Sequence, residues 1–214
     1  MKNLLRSSLM TALVAGLLAL TASAAKADNV TFSTSGVFTC VACAGGAVIT
    51  GSGTNTLVFT SGANSTTLVF NGAAPSTQNT PTNISFGDIL ASATGTGSTI
   101  GGTLTITVTQ TAPTGGTGTV VGTLSGAITV NQSTGLITFA PSNVTTIGNF
   151  TYTIDPSFRL VPPTSGAGGG AVAGDTSLQG TVTGSAVPEP TSMLLLGTGL
   201  VGAAGAMRRR FQKS

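Results

Sequence analysis

Few residues in this 214-residue chain are able to do chemistry, and histidine is absent altogether. Without histidine the usual general base and triad member are missing. The carboxylates ahead of the C-terminal tail are Asp28, Asp88, Asp155 and Asp175, and the tail adds Glu189. A glycosidase pair or a calcium site would have to be gathered from positions far apart in sequence. Cys40-Val41-Ala42-Cys43 has the Cys-x-x-Cys spacing of redox motifs. Thioredoxin-type chemistry needs a helix N-terminus to lower the thiol pKa, whereas these cysteines sit between a strand pattern and a Gly-rich turn. Two cysteines without histidine cannot close a zinc site. A local structural disulfide between Cys40 and Cys43 is therefore the expectation, suited to an oxidising compartment. No enzymatic activity, no metal and no cofactor are expected.

Asn29, Asn64, Asn83, Asn131, Asn143 and Asn149 each open an Asn-x-Ser/Thr triplet, as chance provides in a chain so rich in Ser and Thr. Gly197-x-Gly199-x-x-Gly202 matches the dinucleotide-binding fingerprint by letter, but no βαβ unit surrounds it. Small residues at Gly199, Ala203 and Gly205 instead suit close approach of a second helix.

The elements that must position these residues read as β. Thr103–Gln110 alternates strictly, with Leu104, Ile106 and Val108 on one face and Thr103, Thr105, Thr107 and Thr109 on the other. Asn149–Asp155 places Phe150, Tyr152 and Ile154 on one face before Pro156. Ala127–Asn131 and Leu136–Ala140 repeat the pattern and are expected to pair as a hairpin across Ser133-Thr134-Gly135. Further strands are expected at 30–34, 36–41, 47–50, 56–60, 66–71, 83–86 and 177–183. Many short strands between turn signals predict an all-β domain, a single sandwich or jelly roll, over residues 28–186. Within it, 162–174 is so rich in Gly, Ala and Pro that a flexible loop is expected.

The two ends read as targeting segments. Lys2 and Arg6 precede an apolar run from Leu9 to Leu20, and Ala25 and Ala27 offer the small residues that signal peptidase prefers. Residues 1–27 are thus expected to be a signal peptide cut before Asp28. An uncleaved anchor is the alternative, disfavoured because the run is shorter than the ~20 residues of a spanning helix. The net charge of +3 misleads, because seven of the eight basic residues (Lys2, Arg6, Lys26, Arg208, Arg209, Arg210 and Lys213) lie in these ends. Between them four aspartates face one arginine, Arg159, a net of −3, so nucleic acid is not an expected partner.

The C-terminal end holds Val187-Pro188-Glu189-Pro190, then 17 uncharged residues from Thr191 to Met207, then Arg208-Arg209-Arg210. A helix over 191–207 reaches ~26 Å, just short of a ~30 Å hydrocarbon core, and the arginines in the 208–214 tail would hold the C-terminus in the cytoplasm. Pro188 and Pro190 keep the segment between strand and helix extended. Residues 187–214 resemble the PEP-CTERM sorting signal of Gram-negative exopolysaccharide producers, which exosortase recognises. The resemblance implies that Pro188, Glu189 and Pro190 are the recognition residues. It also implies an inner-membrane intermediate with its body in the periplasm, and a final place in the envelope, on the surface or in the extracellular matrix. The body, through Gly51–Phe59, resembles β domains found with interchangeable surface-anchor signals; that resemblance implies a sandwich and brings no functional residues. The expected role is structural or adhesive in an exopolysaccharide matrix. The alternative is a secreted glycan-binding module with a defined site.

Overall fold

Alternation of inward apolar and outward hydroxyl side chains builds almost the whole of residues 27–185 into antiparallel strands. The computed structural model describes residues 28–40, 47–165, 171–185, 196–200 and 202–203. In chain order the strands are β1 (Asn29–Thr39), β2 (Val48–Thr50), β3 (Thr56–Ser61), β4 (Asn64–Gly72), β5 (Ser76–Asn79), β6 (Thr82–Thr94), β7 (Ser98–Thr99), β8 (Gly102–Ala112) and β9 (Gly116–Ser125). They continue as β10 (Ala127–Thr129), β11 (Gln132–Ser133), β12 (Leu136–Thr138), β13 (Val144–Ile147), β14 (Phe150–Ile154), β15 (Ser157–Arg159), β16 (Thr164–Ser165), β17 (Ala171–Val172) and β18 (Gly174–Gly184).

Two large sheets form the sandwich. The first, sheet A, has the order β15-β12-β9-β8-β1-β5, and the second, sheet B, the order β13-β14-β18-β6-β4-β3-β2. A small sheet, β11-β10-β7, and the β16-β17 ladder are additions to this frame. Phe32, Phe38, Leu104, Ile106 and Val108 from sheet A bury themselves with Phe59, Phe70, Phe86, Phe150 and Tyr152 from sheet B. The edge of one ring meets the face of another where Phe32 packs on Tyr152, centroids 5.5 Å apart. Thr34 also points inward from β1, and its hydroxyl is satisfied by donating to the Phe86 carbonyl (2.6 Å) and accepting from the Ala73 amide (2.7 Å).

Several expected elements change shape for physical reasons. The two segments at 30–34 and 36–41 are one continuous strand, β1, because Gly36 faces inward and any Cβ there would collide with the Phe70 ring. The strand expected at 83–86 runs on to Thr94. At Gly87 (φ 118°) a bulge shifts the register against β18, and Phe86 and Gly87 are buried in succession. After it the inward phase moves from Ile84 and Phe86 to Ile89, Ala91 and Ala93. The expected hairpin between 127–131 and 136–140 does not form. β10 turns back on β11 through Asn131, held at φ 67°, while β12 joins sheet A between β9 and β15. In the Gly-rich segment, Thr164 and Ser165 pair with Val172 and Ala171, and β18 starts at Gly174; residues 166–170 lie outside the described residues.

Candidate functional site: a hydroxyl face and the end that carries the tail

The outer face of sheet A is a field of hydroxyls set by register. Thr103 stands between Thr39 of β1 and Thr123 of β9, Thr107 between Ser35 and Thr119, and Thr109 between Ser33 and Thr117. Thr105 stands between Val37 and Val121, each 40% exposed. The row through Thr123 continues to Thr138 of β12 and Ser157 of β15. Neighbours along a strand are about 6.7 Å apart and those across strands about 4.8 Å. Strands β1, β8 and β9 contain no Asp, Glu, Lys or Arg. β-branched threonine suits this surface twice, since its Cβ fits the pleat and its hydroxyl meets water.

The aromatic residues lie elsewhere. Phe32, Phe38, Phe59, Phe70, Phe86, Phe139, Phe150 and Tyr152 are fully buried, and the half-buried Phe158 packs edge-on against Phe139 at 6.1 Å. Beneath the hydroxyl field the inward side chain of Gln110 ties the sheets together. Its Oε1 accepts from the Tyr152 hydroxyl (2.8 Å), and its Nε2 donates to the Thr114 carbonyl (2.8 Å). Burial out of water pushes the Tyr152 phenol up to about 12. Nothing in the sequence pattern singled out Gln110, a polar residue at an inward position of β8; its bonds to Tyr152 and Thr114 satisfy the buried amide.

Two of the aspartates fall on the other side of the sandwich. Asp88 of β6 stands opposite Ser177 of β18, and Asp175 stands opposite Leu90, so the two aspartates are diagonal neighbours on the outer face of sheet B. Sequence spacing gave no hint of that meeting. Asp155 follows β14 with its amide donating to the Gln179 carbonyl (3.0 Å), and Asp28 precedes β1. Among the described residues no group of three or more His, Cys, Asp or Glu is placed to hold a metal.

Cys40 is buried just past β1, its amide accepted by the Ser52 hydroxyl (3.0 Å), and its sulfur is disulfide-bonded. Cys43 lies outside the described residues. So do Ala25 and Ala27 of the expected signal-peptidase site, Pro188, Glu189 and Pro190, and Arg208, Arg209 and Arg210. Of the segment expected to span the membrane, 191–207, residues 196–200 and 202–203 are described, and they are helical. Among the described residues no helix is long and apolar enough to cross a membrane.

Both ends of the β unit come to one place. The amide and hydroxyl of the buried Thr80 donate to the Asp28 carbonyl at 3.1 and 2.9 Å. A Cβ on Gly184 would lie 2.9 Å from that same Thr80 hydroxyl, and the next amide, of Ser185, donates to the Asn149 carbonyl (2.7 Å). The tail begins one residue further on. No curated protein and no solved structure matches the chain. Residues 186–210, by contrast, match the PEP-CTERM protein-sorting motif, which marks the chain as a protein exported to the Gram-negative cell envelope and processed by exosortase.

Proposed function

We propose that the protein is a non-enzymatic component of the envelope or extracellular matrix, and that the hydroxyl face of β1, β8 and β9 adheres to neutral exopolysaccharide. Signal peptidase removes residues 1–27, with Ala25 and Ala27 flanking the −2 position. The segment 191–207 then anchors the intermediate in the inner membrane, with Arg208, Arg209 and Arg210 on the cytoplasmic side. Exosortase recognises Pro188, Glu189 and Pro190.

The observation that carries the adhesive reading is the uncharged Thr/Ser field on one face of the sandwich. Each exposed hydroxyl exchanges a hydrogen bond with water for one with sugar, so a single contact contributes only about 1 kcal/mol or less. A repeating polymer touching several rows at once gathers many such contacts, and multiplicity supplies the retention. With the aromatic side chains used in the core, stacking is left to none of these rows.

The mature protein from its native host should co-sediment with the producer's own exopolysaccharide. The triple variant Thr105→Glu/Thr107→Glu/Thr119→Glu puts three like charges on the field and should lose that retention. If the triple variant is retained like the parent, adhesion through this face is wrong. A saturable micromolar site in isothermal titration would instead favour the glycan-binding module.

A further inference from the structure

We propose that the end of the sandwich formed by Asp28, Thr80, Asn149 and Ser185 is the surface that faces exosortase, and that a short tether holds it there. The inference rests on the sorting reading and adds which part of the folded domain the protease meets. Three observations lead to it.

The tail leaves the β unit with no slack. Only residues 186–190 separate Ser185 from the apolar run that starts at Thr191, and five fully extended residues reach at most about 17 Å. That is less than the length of a strand such as β18, whose 11 residues extend over roughly 36 Å. The sequence therefore allows at most about 17 Å of chain between Ser185 and the apolar run.

The domain cannot pay out more chain to lengthen the tether. β18 is an interior strand, paired with β14 along one side up to Gly184 and with β6 along the other from Gly174 to Val182. Freeing its last three residues, Val182 to Gly184, would break both ladders and expose Val182, which is fully buried, and Ser185 adds its own bond to Asn149. A protease that needs its segment extended must take it with the domain still folded.

The same end also carries the domain's first residue, through the two bonds from Thr80 to Asp28. The opposite end, where β6 stops at Thr94, carries β7, β10 and β11, and the clip in which Asn131 accepts from the Ser165 amide (3.2 Å) and donates to its hydroxyl (3.1 Å). The hydroxyl face runs between the two ends along β1 and β8.

Site-specific photocrosslinking in cells that carry a catalytically inactive exosortase tests the proposal on the full-length chain. A photoreactive residue replacing the exposed Asn149 should give several-fold more exosortase adduct than one replacing the exposed Gln132 at the opposite end. An insertion of about a dozen Gly and Ser residues between Ser185 and Ala186, with an r.m.s. reach of about 19 Å, should cut the Asn149 adduct several-fold. Equal adducts from both positions, adducts from Gln132 alone, labelling of lipid alone from Asn149, or an Asn149 adduct unmoved by the insertion would each overturn it. Intact mass of the parent in cells with active exosortase separates the two readings. A product that has lost Arg208–Ser214 keeps the sorting reading whatever the crosslinks show, and one that retains them overturns that reading itself.

Discussion

The two outer faces of the sandwich are made from the same strand geometry and end up chemically opposite. On sheet A the outward positions of β1, β8 and β9 are hydroxyls, two valines and Asn29, with no charge in any of the three strands. On sheet B the outward positions include Asp88 beside Asn71 and Ser177, with Asp175 on the diagonal. A protein with so few charges keeps its solubility by threonine on one face and sets two of its aspartates on the other. The sharpest tests of this division are those that move residues from one side of a sheet to the other.

Gly87 decides where Asp88 points. Without the bulge, the alternation that buries Ile84 and Phe86 would carry Asp88 into the core and turn Ile89, Ala91 and Ala93 outward. The glycine holds φ at 118° and lies against the Asn71 carbonyl and the Phe70 ring, so no larger residue fits. Gly87→Val should therefore cost roughly 3–5 kcal/mol, from backbone strain and overpacking together, measured by urea denaturation. A loss under about 1 kcal/mol, within the range of ordinary surface substitutions, would mean that the bulge is not what keeps the faces distinct.

This bulge also marks the limit of what the sequence makes legible. β8, β14 and β18 alternate without interruption, so their inward residues could be read from period two alone. β6 could not, because a single inserted residue inverts the phase and the period-two pattern breaks after Phe86. β9 was missed for another reason. Gly118 and Gly122 occupy inward positions beside Val120 and Leu124, and glycine carries no hydrophobic signal even where its lack of a side chain is what the packing requires. The hairpin at 127–140 failed because tertiary pairing recruited β12 into sheet A, a choice made by residues distant in sequence. For the site, the Thr103–Thr109 alternation announces an outward hydroxyl row, but its extension across β1 depends on register between strands some 70 residues apart, roughly the separation of Ser35 and Thr107, and its extension across β9 on a strand whose inward glycines hide it. The sorting tail needs no fold to be recognised, and it alone was legible as function.

Under the hydroxyl face, the Tyr152–Gln110 bond offers a second test. Tyr152→Phe removes the hydroxyl and leaves the buried Gln110 Oε1 without that donor, which should cost about 1–3 kcal/mol. Burial of the phenol also sets an alkaline limit. A phenol raised to about 12 in the folded protein but near 10 in the unfolded one makes the unfolded state lose its proton first. Its stabilising contribution is complete below about pH 10 and falls by about 2 kcal/mol as pH rises to about 12. Tyr152 is the one tyrosine in the chain, so tyrosinate absorbance follows this titration directly. Denaturation of Tyr152→Phe should show a shallower alkaline decline than the parent, and equal declines would remove the phenol as the cause.

The smallest effect is expected at the aspartates. Asp88 and Asp175 are like charges at diagonal positions on a solvated sheet face, where water screens most of their repulsion. Asp88→Asn should raise stability at neutral pH by no more than about 0.5 kcal/mol, with the gain shrinking as salt is added. In the double variant Asp88→Asn/Asp175→Asn, retention on exopolysaccharide should match the parent, because the rows proposed to adhere lie on the opposite sheet. A double variant that loses retention while the Thr105→Glu/Thr107→Glu/Thr119→Glu protein keeps it would reverse the assignment of the two faces. The carboxylate face would then be the binding surface, and the threonine field a solution to the problem of staying soluble with almost no charge.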